Sequence, residues 1–156
     1  MAIDFVNKAI AGIVLALILS GIITSPDQLA GYVDDWELKC LSGAMECENG
    51  SNGDECLLLT GSVVLNRRNS PKWKGNSVEE VILAKDSGYW QYASVTRNGF
   101  KTKKASERTV MLAKYLLIYG PICPSNVVYQ GQGRNGSGIY DSIPVKGEKN
   151  ELFCYE

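Results

Sequence analysis

The chain of 156 residues contains no histidine, and that absence excludes more chemistry than any residue present. Ser-His-Asp and Cys-His nucleophile arrangements need an imidazole base. Catalytic zinc sites almost always use histidine ligands. What remains for proton transfer near neutral pH is carboxylate chemistry, with Lys, Tyr or Cys as weaker candidates. Glycoside cleavage is the main hydrolytic reaction that runs on carboxyl groups alone. An excess of charge of one sign is lacking too. Sixteen basic residues against 17 acidic ones leave a net charge of −1, which gives no electrostatic footing for nucleic acid. No internal repeat or low-complexity stretch stands out in the polar part of the chain. No Cys-x-x-Cys pair occurs among the five cysteines Cys40, Cys47, Cys56, Cys123 and Cys154, so no metal and no cofactor is expected. An odd number cannot pair fully within one chain. Cys40 and Cys47 lie too far apart on an expected helix to bridge each other. Small buried hydrophobes is the plain reading of the thiols, with one or two bridges open if the domain is exported.

What is there begins with a near-unbroken apolar run from Ala9 to Thr24, with Lys8 before it and Ser25-Pro26-Asp27 after it. A membrane span needs about 20 residues, and the apolar part of a signal peptide is typically about 7–15 residues, so the run falls between the two. Gln28-Leu29-Ala30 lacks the small first residue of a cleavage site. The expectation is an N-terminal apolar helix in residues 1–25, acting as membrane anchor or signal, a connector at 26–35 and one domain at 36–156. That places the domain anchored to or exported across a membrane.

In the domain, Asp34 or Asp35 can cap a helix from Trp36 to about Cys47, with Leu38, Leu41 and Met45 on one buried face. Asn49-Gly50 is expected to supply a left-handed stop. Glu48 therefore falls at a helix C-terminus, where the macrodipole favours a neutral acid over a carboxylate; that suits a proton donor to a glycosidic oxygen. Asp54 is expected to cap the next helix, Glu55 to Arg67. Its apolar residues cover nearly the whole circumference, so it belongs in mid-core, and its Asn66-Arg67 end is polar. Ser77 to Glu80 is a capping box opening a short helix through Ala84. Ser87 to Ser94 reads as an aromatic loop in which Tyr89, Trp90, Gln91 and Tyr92 suit stacking on sugar faces and hydrogen bonding to hydroxyls. Ser106 caps a helix from Glu107 to Tyr119, stopped by Gly120-Pro121. The period then changes to two. Val127 to Gln130 reads as a strand, Gly131 to Gly138 as a turn, Ile139-Tyr140 as the return strand and Glu151 to Tyr155 as a last strand. Helices first and a small C-terminal antiparallel sheet later make an α+β fold.

From Glu48 to Arg67 the sequence resembles the cell-wall hydrolase family of the spore cortex-lytic enzyme (SleB) type. The likeness rests on Glu48 in a Gly-containing polar turn, Glu55 seven residues on, and Val63-Val64-Leu65-Asn66-Arg67 closing an apolar helix. Gln91-Tyr92, Val127-Val128-Tyr129-Gln130 and Phe153-Cys154-Tyr155 continue it, so that it covers roughly Leu38 to Glu156. The resemblance implies a lysozyme-like fold, mainly helical. It implies cleavage of the β-1,4 glycan strands of peptidoglycan as a lytic transglycosylase, with hydrolysis on the same fold or a non-catalytic wall-binding or structural protein as alternatives. Glu48 would be the general acid and then the base, with Glu46 as the fallback should the register slip. Tyr89, Trp90, Gln91, Tyr92, Tyr129 and Gln130 would bind the glycan. Two departures from the family pattern stand out: Glu151 occupies a place in the last strand where many members have histidine, and Cys56 a place where glycine is usual.

Overall fold

The computed structural model describes residues 2–73, 75–86, 88–92, 99–147 and 149–156. Ser87, Ala93 and Ser94 of the expected aromatic loop lie outside the described residues. Helix α1 (Ala2–Leu19) is followed by a 3₁₀ turn at Pro26–Gln28, then by α2 (Asp35–Asn49), α3 (Asp54–Asn69) and α4 (Val78–Ile82). A two-residue ribbon, β1 (Lys85–Asp86) and β2 (Tyr89–Trp90), precedes α5 (Gly99–Thr102) and α6 (Glu107–Tyr119). Three strands close the chain: β3 (Val127–Gly131), β4 (Gly138–Pro144) and β5 (Asn150–Tyr155). The fold is α+β, about half helical, with one small three-stranded antiparallel sheet.

Helices α2 and α6 start where a side chain satisfies a free amide, as helix ends require. Asp34 accepts from the Glu37 amide at 2.9 Å, and Ser106 from the Thr109 amide at 3.1 Å. At α3 the expectation fails. Gly53 is the capping position, and Asp54 instead pairs with the Arg108 guanidinium of α6. The stop after α2 differs as well. Gly50 is right-handed, at φ −61°. Glycine is favoured there for space, because a Cβ would come 2.6 Å from the Glu46 carboxylate oxygen.

Helix α3 is apolar all round because it has neighbours all round. Leu57, Leu58, Val64 and Leu65 join the cluster made with α2, α4 and α6. Cys56, Leu59 and Val63 face a second cluster with Cys123, Val127 and Phe153 under the sheet. Gly61 lets α6 and α2 close in, since a Cβ there would meet Leu116 Cδ1 at 2.4 Å and Met45 Sδ at 2.9 Å. The polar end expected at Asn66-Arg67 is buried, and it clamps β3 to the helix. Asn66 donates to the carbonyls of Pro124 (2.8 Å) and Val127 (3.0 Å), and Arg67 Nε to that of Val128 (2.6 Å).

The sheet order is β3-β5-β4, so the expected hairpin between Val127–Gln130 and Ile139-Tyr140 does not form. The last strand lies between the other two, pairing Gln130 with Phe153 on one side and Ser142 with Leu152 on the other. Phe153 and Cys154 of this central strand are buried, as are Val127 and Val128 of β3, while the residues of β4 are half-buried or exposed. The Gly-rich segment passes over the end of β5, where a Cβ on Gly136 would come 1.8 Å from the Tyr155 carbonyl oxygen.

The N-terminal helix packs against the domain. Ile18 is fully buried, the Tyr115 hydroxyl donates to the Ala11 carbonyl at 3.2 Å, and Arg108 donates to that of Ile18 at 3.0 Å. Among the described residues no helix is long and apolar enough to cross a membrane.

Candidate functional site

Glu48 lies in the last turn of α2 and is half-buried. The next residue fixes that turn on the middle of α3: buried Asn49 donates to Thr60 Oγ1 at 2.7 Å and accepts from Asn52 at 2.7 Å. Buried amide bonds of this kind hold a turn in one orientation, because breaking them strands polar groups away from water.

Among the described residues, Tyr92 and Glu151 feel the charge of Glu48. Tyr92 is buried. Its hydroxyl is pushed up, first by that burial, while the guanidinium of Arg67 pulls the other way and Glu48 adds to the rise. The Glu151 carboxyl is raised, first by desolvation and then by Glu48. Arg67 has a carbon at the centre of its guanidinium 4.3 Å from the Trp73 ring centre and 5.3 Å from that of Tyr92. Trp73 in turn meets Tyr129 edge-on at 5.5 Å. Among the described residues, three buried side-chain atoms make no hydrogen bond of normal geometry, Trp73 Nε1, Gln130 Oε1 and the Tyr92 hydroxyl, the last with the Arg67 guanidinium beside it. Such atoms are rare in folded proteins and mark places where another partner is accommodated.

The expected site residues therefore divide. Glu48 and Tyr92 come together, and Arg67 and Trp73 link Tyr92 to Tyr129, the neighbour of Gln130 on β3. Tyr89 and Trp90 stand on the β1–β2 ribbon rather than in a loop. Tyr89 is 79% exposed, and Trp90 carries the Lys85 ammonium over its ring at 4.1 Å. Gln91 is half-buried, with its amide donating to the Ala84 carbonyl at 3.1 Å. Glu46 points away from this cluster. It accepts from the Ser106 amide and hydroxyl at 3.2 Å and from the Thr109 hydroxyl at 2.5 Å, at the start of α6.

Three residues of the cluster escape a reading for function in sequence: Arg67, Trp73 and Glu151. Arg67 reads as a polar helix end, Trp73 as part of a turn, and Glu151 only as a departure from a family pattern. An arginine closing an otherwise apolar helix is the one sequence signal at the first, and it does not show what the side chain meets. Cys40, Cys56, Cys123 and Cys154 are buried free thiols, in keeping with their reading as small hydrophobes, and none of them forms a bridge. Burial pushes Cys40 up to about 11, Cys56 to about 12 and Cys123 to about 11, so none of these three is an activated nucleophile. A cavity of about 750 Å³ lined by Tyr32, Leu38, Lys39 and Val110 lies apart from Glu48. Compared with protein-family models, curated proteins and solved structures, the chain matches none of them.

Proposed function

We propose that the protein cleaves the β-1,4 glycan strands of peptidoglycan as a lytic transglycosylase, on a lysozyme-like arrangement of its helices and sheet. The observation that supports this reading most is the convergence of the two ends of the Glu48-to-Arg67 motif on Tyr92. A half-buried glutamate whose charge reaches a buried tyrosine, itself beside an arginine, sits in an environment suited to proton transfer. In this reading Glu48 protonates the leaving glycosidic oxygen as the C1–O bond breaks. The same side chain then takes the proton of the muramic 6-hydroxyl as that oxygen closes on C1, giving an anhydro sugar. The atoms balance without water or metal. Tyr129 and Trp73 would offer ring faces and edges to the sugars, with Tyr92 and Gln130 behind them in the wall of the site.

The product masses decide between this and a silent wall-binding protein. Digestion of purified sacculi by the wild-type chain should release anhydro-muropeptides, and Glu48→Gln should release none while melting normally. A wild-type chain that binds sacculi and releases no fragment would leave only the binding role.

We also propose that the protein works facing the cell wall, at a membrane surface contacted through α1. Val6, Ile10 and Ile13 form an exposed apolar row along that helix, a pattern that suits lying in the lipid interface rather than crossing it.

A further inference from the structure

We infer that Glu151 is a second working carboxyl of this site and opens a hydrolytic branch beside the transglycosylase reaction. The inference rests on the reading of Glu48 given above and extends it. Side chains two apart on a strand share one face of the sheet. Glu151 therefore points the same way as Phe153, which is fully buried and packs with Cys56, Leu59 and Val63 of α3. That direction aims Glu151 inward over the start of α3, beside the turn that joins α3 to Glu48. Glu151 is half-buried and feels the charge of Glu48, and Cys56 at the start of α3 in turn feels the charge of Glu151. No lysine or arginine lies within ion-pair distance of it among the described residues.

A half-desolvated carboxyl with no cation to hold it is costly to keep for packing alone. It is well suited to accept a proton from water near neutral pH, because desolvation makes a carboxylate a stronger base. Glycosidases that place two carboxyl groups about the scissile bond deliver water to the anomeric carbon. In this branch Glu48 gives its proton to the leaving oxygen and the C1–O bond breaks. A water oxygen bonds to C1, and its proton goes to Glu151. The product is a reducing sugar, one water heavier than the anhydro product, and the two glutamates exchange that proton back through solvent.

The test is digestion of sacculi in ¹⁸O-water by the full chain, with muropeptides resolved by mass. The wild type should give both anhydro ends and reducing ends carrying ¹⁸O at C1. Glu151→Gln should still cleave, with the labelled share reduced at least several-fold and the anhydro share increased. Wild-type products that are all anhydro, or a labelled share unchanged in Glu151→Gln, would overturn the inference while leaving the role of Glu48 in place. No products at all from the wild type would instead remove the reading beneath it. Should Glu151→Gln not fold, Glu151→Asp takes its place, with its shorter carboxylate expected to lower the labelled share. An unchanged share there counts against Glu151 in the same way.

Discussion

Glu46 and Glu48 flank Cys47 in the last turns of α2, yet their surroundings differ completely. The Glu46 carboxylate accepts from the Ser106 amide and from two hydroxyls at the start of α6, where the helix dipole favours negative charge. Glu48 instead lies near enough to Tyr92 and Glu151 for both to feel its charge. Periodicity places both residues at the end of one helix and cannot separate them, because the partner of Glu46 is 60 residues away. The two variants should therefore behave oppositely. Glu46→Ala should lower stability by about 1–3 kcal/mol through the lost charge-assisted bonds, as read by urea unfolding, while the rate per folded molecule stays unchanged. A Glu46→Ala protein of normal stability and no activity would move the acid from Glu48 to Glu46. Sequence likewise could not reveal Arg67 as buried between Trp73 and Tyr92, since that depends on where β3 docks.

At the scale of elements, local chemistry was legible and pairing was not. Ser106 and the Gly120 stop bound α6 as expected, because caps and left-handed glycines are local devices. The apolar girdle of α3 foretold a central helix. The sheet order is β3-β5-β4, with the last strand inserted between the two that the Gly-rich turn advertised as a hairpin, and no local pattern shows such an insertion. One glycine carries an element contact that no local pattern showed. Gly43, in the middle of α2, lets α5 approach so closely that a Cβ would lie 2.0 Å from the Phe100 carbonyl oxygen. Since that atom is backbone, Gly43→Ala cannot be absorbed by a rotamer change. It should cost about 1–3 kcal/mol, seen as a lower denaturation midpoint with an unchanged slope. An Ala variant as stable as wild type would mean that α5 does not rest on α2.

For the whole molecule, the helical cluster and the cluster under the sheet meet on α3, and α2 delivers Glu48 to the place where they join. The fold class was readable from the order of periodicities, helices before strands. The N-terminal run was readable as apolar, but its docking on α6 through Ile18 and Tyr115 was not, since composition cannot show which face finds a partner. Its outer row makes a prediction for the intact chain. The protein should co-sediment with anionic lipid vesicles, and Ile10→Lys combined with Ile13→Lys should reduce the bound fraction several-fold without lowering the melting temperature. Equal binding by that double variant would assign the contact to another surface. The central claim is that one carboxyl group on α2 drives glycan cleavage, and mass spectrometry of sacculi digested by wild-type and Glu48→Gln chains of equal melting temperature tests it most directly. The account predicts anhydro-muropeptides from the wild type and no soluble fragments from the variant; fragments released equally by both chains would contradict it.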